Sequence, residues 1–277
     1  MQDGTVPRKS SNLLKRRLKI AEILRKQGEI RVESLCEQLG VSGVTIRGDL
    51  AYLEQQGYLK RSFGGAISAA IAPQRVSPPA GEVPNRAAEL EMALHCARLV
   101  ADRDTLFVGH GAITRKIIPL LSGRKKLRLI VNDLHHALLA DEFIDGEIIL
   151  AGSELIRNRH VLVGKTLDSV VQHYTLSHCI LQATSLDATG ALSGELPQLA
   201  PHYQRVLDNT QMKTLLVTGY PPPEGNHAPA GQLTQLDNLV TCGAVNGFYQ
   251  QQLFESDFII RYSNNECFTW TNRDSTW

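Results

Sequence analysis

The chain has 277 residues, 43% of them hydrophobic and 21% charged, enough apolar material for about two globular domains and too balanced for a fibrous or disordered protein. No run approaches the roughly 18 apolar residues that a bilayer-crossing helix needs, and the N-terminal segment lacks the apolar core of a signal peptide, so a cytoplasmic protein without a membrane partner is expected. The net charge of +1 hides a split: residues 1–67 carry 12 Lys and Arg against 7 Asp and Glu, while the remainder carries 17 against 21, the pattern of a basic head that meets a polyanion and a body that does not.

The first predicted element lies in "LLKRRLKIAEILRKQG", where Leu14, Leu18, Ala21 and Ile23 or Leu24 recur at helical spacing until Gly28. A second, short helix follows in "RVESLCEQLG", with Val32, Leu35, Cys36 and Leu39 on one face and Gly40 at its end. Ser42 then offers an N-cap oxygen to a third helix through "GVTIRGDLAYLEQQG", which Gly57 stops. Ile46, Leu50 and Leu53 form its inward stripe, whereas Val44, Gly48, Ala51 and Gln55 point outward with Thr45, Arg47 and Tyr52 on the flanks. Two short helices around a tight turn describe a helix-turn-helix, and its second helix would enter a DNA major groove. "YLKRSFGGAI" reads as two short strands bent at Gly64 and Gly65, a wing that offers Lys60 and Arg61 to phosphate. The residues alone leave open a three-helix protein-interaction module with solvated charges.

The stretch "GEIRVESLCEQLGVSGVTIRGDLAYLEQQGYLKRSFGGAI" resembles the DNA-binding head of the DeoR family of bacterial transcription regulators, whose pattern is approximately "VS..TIRRDL..L...G.L.R.HGGA". The resemblance implies contacts to operator DNA through Ser42, Thr45 and Arg47 on the helix and through Arg61 on the wing; Gly43, Val44, Gly48 and Tyr52 of the same helix, and Lys60 beside Arg61, complete the candidate DNA contacts. Gly48 stands where the family has a second arginine, and Phe63 where it has histidine.

"SAAIAPQRVSPPAGEVPN" brings Pro73, Pro78, Pro79 and Pro84 together with small residues, so residues 68–85 are expected to link a head at 1–67 to a body at 86–277. In the body "RAAELEMALHCARLVA" is a helix, and the expected strands are "TLFVG", "LRLIV", "EIILA", "HCILQA", "KTLLVTG", "NLVTC" and "DFIIRY". Apolar runs separated by crossover segments predict a mainly parallel α/β sheet, with any ligand beyond the carboxyl ends of the strands. Three strand ends there suit an approaching anion: Gly109, His110 and Gly111 before a helix beginning at Thr114; Asn132-Asp133; and Gly152-Ser153, with Gly164 opening a further helix. Cys36, Cys96, Cys179, Cys242 and Cys267 are scattered and lack a C-x-x-C pattern, which predicts buried thiols and neither a disulfide framework nor a zinc site.

Residues 86 to 262 resemble the DeoR effector domain, which implies a fold like that of ribose-5-phosphate isomerase and a small effector such as a phosphorylated sugar. Here Gly109 replaces the family's acid, Ala112 and Ile113 replace its threonines, Ser153 replaces a glycine, and "TGYPPP" lacks its lysine. Arg115, Lys116 and Arg157 are the candidates to supply positive charge instead. His135 and His136 are neighbours on a helix and point apart, and His110 stands alone in its loop, so neither a metal nor a catalytic role is expected of them, and no cofactor is implied.

The resulting expectation is an α/β protein with an N-terminal winged helix-turn-helix and a larger effector domain. It would be a homo-oligomeric repressor of carbohydrate genes that binds double-stranded operator DNA and responds to a small effector. The alternative is a phosphosugar isomerase or transferase with a regulatory head, although Asp133, Asp187 and Glu195 form no recognisable acid/base unit in the sequence. A protein-interaction adaptor is the third reading.

Overall fold

The computed structural model describes residues 16–17, 19–20, 23–24, 27, 29–55, 59–62, 64–68, 86–220, 228–264 and 266–272. Leu14, Leu18, Ala21, Phe63 and the linker prolines, each assigned a place by the sequence, lie outside these residues. The chain divides into two compact units, Met1–Ser77 and Pro78–Trp277.

In the first unit the described residues between 16 and 27 are helical and are called α1. There follow β1 (Glu29–Arg31), α2 (Val32–Leu39), α3 (Gly43–Gln55), β2 (Leu59–Ser62) and β3 (Gly65–Ser68). Gly40 caps α2 at φ 64°, a left-handed conformation that turns the chain sharply toward α3. Ile20, Leu24, Leu35, Ile46, Leu50 and Leu53 meet in one core, so the inward stripe expected for α3 is the packed face. Ile20, which does not fall on the periodic stripe of the first helix, is fully buried beside them.

The wing strands form where expected, but β1 joins them in a sheet of order β1-β3-β2. Three residues are too few to show a strand period, which is why β1 is not legible in the sequence. Gly64 makes the bend at φ 80°. Gly65 is needed for a different reason. A Cβ there would lie 2.2 Å from the Ile30 carbonyl oxygen, so glycine lets β1 pair with β3.

The second unit begins with α4 (Arg86–Leu99), β4 (Thr105–Val108), α5 (Ala112–Leu120), β5 (Arg128–Val131), α6 (Leu134–Phe143) and β6 (Glu147–Leu150). A hairpin of β7 (Glu154–Ile156) and β8 (Val161–Val163) then leads to α7 (Lys165–His173), β9 (Leu176–Ala183), β10 (Ser185–Leu186), β11 (Ala191–Gly194) and α8 (Ala200–Asp208). The chain continues with β12 (Thr210–Val217), β13 (Ala228–Gln232), β14 (Asn238–Cys242), α9 (Gly243–Glu255), β15 (Phe258–Ser263) and β16 (Cys267–Asn272). All seven strands expected from the sequence lie in one sheet of eight, ordered β15-β16-β14-β12-β9-β4-β5-β6. From β14 to β6 neighbouring strands are parallel, and β16 is antiparallel to both β14 and β15. The chain builds outward from β4 through β5 to β6, then returns to place β9 on the other side of β4. Such a reversal opens a crevice at the carboxyl ends of the two central strands.

Strand β16 is hidden in the sequence because its buried face is polar. Thr271 Oγ1 donates to Asn238 Oδ1 at 2.8 Å, and Asn238 Nδ2 donates to Thr214 Oγ1 at 3.3 Å. Thr214 in turn lies 2.9 Å from His178 Nε2, which closes a polar row across β16, β14, β12 and β9. Of the five free thiols, Cys96, Cys179, Cys242 and Cys267 are buried as expected, while Cys36 is half-buried on α2. No helix among the described residues is long and apolar enough to cross a membrane.

His95, His136 and His178 are buried, and loss of hydration lowers each to about 4 from an ordinary 6.5. Unfolding therefore releases groups that bind protons below about 6.5 but resist them in the fold until about 4. Stability from this source is complete above the upper value, falls as pH drops through the window, and levels off below the lower one. Urea unfolding of the second unit, followed by tryptophan fluorescence from pH 7.5 to 4, is expected to show a falling midpoint with uptake of up to three protons. A midpoint independent of pH in that window would contradict the neutral burial of these rings.

Candidate nucleic-acid interface and ligand pocket

In the first unit Ser42 Oγ accepts the Thr45 N–H at 3.3 Å and lies 3.0 Å from Thr45 Oγ1. Both hydroxyls predicted to face DNA thus also build the start of α3. Val44 is 78% exposed one residue into the helix. Gly48, one turn on, is exposed as well, and a Cβ added there would meet nothing within 4 Å. Arg47 runs back along the helix, its Nη1 lying 3.4 Å from the position of a Cβ on Gly43. The exposed face is therefore apolar and shallow at its centre, with a guanidinium at its edge.

What holds this face outward is a carboxylate to which the sequence pattern assigns no role. Asp49 is 2% exposed and accepts from Arg16 Nε at 2.6 Å and Arg17 Nε at 2.9 Å. The Arg17 guanidinium also lies over the Tyr52 ring, 3.7 Å from its centre. Tyr52 is thus an anchor for α1 as well as a candidate contact. On the wing, Glu54 of α3 accepts the Arg61 backbone N–H at 2.8 Å and its Nε at 2.5 Å. The predicted phosphate contact Arg61 is half-exposed and already has an acidic partner; Lys60 lies beside it on β2.

In the second unit the predicted ligand residues lie in neighbouring loops at one edge of the sheet, and of them only His110 lines the recess described below. Gly111 caps α5, which begins at Ala112 and not at Thr114 as expected; Thr114 is buried, with its hydroxyl donating to the Gly111 carbonyl at 3.0 Å. Asn132 Nδ2 donates to Leu162 O at 3.1 Å, and Ser153 N–H to Val163 O at 2.9 Å, so the β7-β8 hairpin folds over the ends of β5 and β6. Gly152, at φ 113°, packs so closely on this hairpin that a Cβ would lie 2.6 Å from Leu162 Cβ. Gly164, at φ 100°, opens α7, and its N–H donates to His202 Nε2 at 3.3 Å.

His110 is not alone. Its Nδ1 lies 2.5 Å from Asp133 Oδ2, a partner 23 residues away that no sequence spacing connects with it. Asp133 caps α6 with its other oxygen, accepting from His135 N–H at 2.7 Å and His136 N–H at 3.2 Å. Hydrogen bonds from His110 and His136 hold the Asp133 carboxyl below its ordinary value even though burial opposes this. His135 is exposed and His136 buried, so those neighbours do point apart.

A small recess, with room for little more than a water molecule, lies beyond the carboxyl ends of β4 and β9. His110, Gln182, Glu195 and Tyr203 give its polar lining, and Leu196, Leu199 and Ala230 part of its apolar wall. Gln182, Glu195 and Tyr203 are additions to the predicted site, because each joins it only through the return of the chain to β9 and α8. Tyr203 explains the missing acid at position 109: a Cβ on Gly109 would lie 2.8 Å from the phenol oxygen, which accepts the His110 N–H at 2.7 Å. Of the three cations that could have compensated, Lys116 is paired with Glu89, whereas Arg115 and Arg157 are exposed. Asp187 is engaged in its own turn, accepting from the N–H groups of Thr189 and Ala191. Among the described residues no three His, Cys, Asp or Glu side chains are grouped to hold a metal ion.

Residues 16–71 match the DeoR-like helix-turn-helix domain, and residues 85–241 the DeoR C terminal sensor domain. The chain is 31% identical over 179 residues to the glycerol-3-phosphate regulon repressor of Escherichia coli, covering 62% of this chain and 68% of that protein. It is 28% identical over 180 residues to the transcriptional repressor AccR of Agrobacterium fabrum, covering 64% and 69% respectively. Ribose 5-phosphate isomerase A from Methanocaldococcus jannaschii overlaps 69% of this chain and 82% of its own at 13% identity and a TM-score of 0.37, too loose to transfer any site.

The Asp49 clamp gives a direct expectation. Asp49→Asn leaves two guanidiniums without their carboxylate, each still 20% exposed. The expected cost to the head is about 1 to 3 kcal/mol, below the roughly 3 to 5 of a fully buried pair. Hydrogen exchange of the α3 amides in the full-length chain would measure it, and unchanged protection would show the clamp to be dispensable.

Proposed function

The chain belongs to the DeoR family and is a DNA-binding transcriptional regulator; on that premise we propose that it represses carbohydrate genes from the cytoplasm as a homo-oligomer released or engaged by a small effector. The observation that carries the proposal is the exposed face of α3, which is held outward by Asp49 and bordered by Arg47 and the wing. An α-helix with such a face fits a major groove, and its N-terminal residues are those that reach base edges. In this reading Val44, Thr45 and Arg47 read bases, Ser42, Gly43 and Tyr52 position the helix, Lys60 and Arg61 contact phosphate, and Gly48 allows close approach.

The second unit is read as a sensor, with Gly109, His110, Gly111, Thr114, Asn132, Asp133, Gly152, Ser153 and Gly164 as the candidate ligand residues at the carboxyl edge of the sheet; of these His110 also lines the recess. Occupancy regulates DNA binding if the effector favours one conformation of the protein over another, and the coupling is reciprocal. Among the described residues two His–Asp pairs, His110–Asp133 and His202–Asp168, are placed so that a proton could pass along them. Asp133, however, is tied to the start of α6 by two N–H groups, which suits a structural cap better than a base that cycles. No turnover of a phosphosugar is therefore expected from the protein, and observed turnover would revive the enzyme reading.

Selection of bound fragments from genomic DNA would supply an operator. On it, Arg61→Ala and Lys60→Ala are expected to weaken binding to operator and random DNA alike and to lower the salt slope by about one phosphate contact each. Arg47→Ala and Thr45→Ala are expected to weaken operator binding more than random binding. Equal effects of all four on both DNAs would refute this division of contacts.

Gly48→Arg tests the open position. Because a side chain there meets nothing, the change is expected to add about 0.5 to 1 kcal/mol of helix stability and to tighten binding with a steeper salt dependence. Weaker operator binding at unchanged stability would mean that the backbone itself approaches the DNA at this point.

A further inference from the structure

Strand β6 has the make-up of an interior strand but stands at an edge. Ile148, Ile149 and Leu150 are consecutive apolar residues, like those of β4 and β5, a composition that belongs to strands covered on both sides. In β4 and β5 three successive residues are buried, whereas in β6 Glu147 and Leu150 are exposed and Ile148 and Ile149 only half-buried. Among the described residues β6 pairs with β5 alone.

Its backbone is unfinished on the same side. The Glu147 N–H goes to the Leu127 carbonyl at 3.0 Å and the Ala151 N–H to the Val131 carbonyl at 2.8 Å, both toward β5. Backbone groups alternate in direction along a strand, so the N–H and C=O groups of Ile148 and Leu150 point away from β5. Among the described residues these four groups have no hydrogen-bond partner. The other edge of the sheet is protected: β15 has a register shift between Ile260 and Tyr262, with the exposed Arg261 inside it. A bulge and a charge are the usual means of blunting an edge, and β6 has a regular register and no Lys, Arg or Pro. The exposed apolar surface extends past the strand, to Leu138 and Phe143 on α6 and Leu155 on β7.

Charge and symmetry identify the occupant. Residues 141–147, which lead into β6, hold four Asp and Glu and no Lys or Arg. Residues 151–165, which leave it, hold three Lys and Arg against one Glu. Asp141, Glu142 and Asp145 at the first end, and Arg157 and Lys165 at the second, are exposed and without ion pairs among the described residues. A second β6 laid antiparallel about a twofold axis sets each acidic end against a basic one, whereas a parallel copy would set like against like. A twofold dimer is also the form in which helix-turn-helix proteins read paired half-sites.

We propose that β6 pairs antiparallel with β6 of a second copy of the chain, joining two eight-stranded sheets across a twofold axis. The inference rests on the reading of the protein as a homo-oligomer and names its interface.

Such a pairing sets one residue of the strand opposite its own copy, at a Cα separation of about 4.5 to 5.5 Å, which a disulfide can span. The residues on either side of it face their own copies at distances that a disulfide cannot bridge. The test is mild oxidation of full-length Ile148→Cys, Ile149→Cys and Leu150→Cys, scored for disulfide-linked dimer against the wild type as background, together with sedimentation of the wild type and of Leu150→Lys. One of the three positions is expected to cross-link at least tenfold faster than the other two, and the wild type to sediment as a dimer or a multiple of it. Leu150 is 42% exposed, so Leu150→Lys should keep its circular dichroism spectrum while its dimer dissociation constant rises at least tenfold. An oligomeric wild type in which no one position is preferred for cross-linking overturns this interface and leaves the homo-oligomer reading intact. A wild type that sediments as a monomer overturns both.

Discussion

The buried Asp49 carboxylate is the interaction on which the head depends. It sits on the inward side of α3, where burial of an unpaired charge would be prohibitive, and its two guanidinium partners come from α1. This arrangement fixes the rotation of α3 about its own axis: turning the helix would separate the carboxylate from Arg16 and Arg17 and bring Val44 and Gly48 toward the core. The apolar stripe alone would tolerate some rotation, because the hydrophobic effect is not directional. The ion pairs supply the direction, so the outward face is specified by a contact on the inward one.

The body is governed by a constraint of topology. Parallel strands require crossovers, and the crossover chain that leaves β6 must return past β4 before β9 can pair with it. That return brings the ends of β4 and β9 together and places Gln182 and Tyr203 within reach of the loop at 109–111. With glycine at 109 the phenol of Tyr203 can approach the backbone; with any side chain there it cannot.

Legibility in the sequence follows the range of the interactions. The helices of the head, the wing strands and the seven apolar strands are set by local periodicity and are readable. Strand β16 is not, since Thr269 and Thr271 bury hydroxyls that find partners only across the sheet and on α4. The start of α5 at Ala112 differs from the expected Thr114 because its cap comes from Gly111 and from Gln182 on another strand. Glycines and the Asn132-Asp133 step mark the correct sheet edge. The residues that define its chemistry, His110 with Asp133, Gln182, Glu195 and Tyr203, are separated by tens of positions and carry no motif. Asp49 is the exception that a local pattern does contain: an aspartate on the packed face of an amphipathic helix requires a buried partner, and the adjacent arginines of α1 are the obvious source.

The two units also distribute charge in opposite ways. In the head, Arg47 remains at the edge of an uncharged face, while Arg61 is held by Glu54 at a half-exposed site where water screens the pair. Exchanging that carboxylate for a DNA phosphate costs little, so Glu54 orders the wing without removing it from use. In the body, Asp133 lies within the fold, where its bonds to His110 and to the start of α6 support one another and opening one weakens the rest. The head is thus built to exchange partners and the start of α6 to retain them, which suits a regulator that scans many DNA sites.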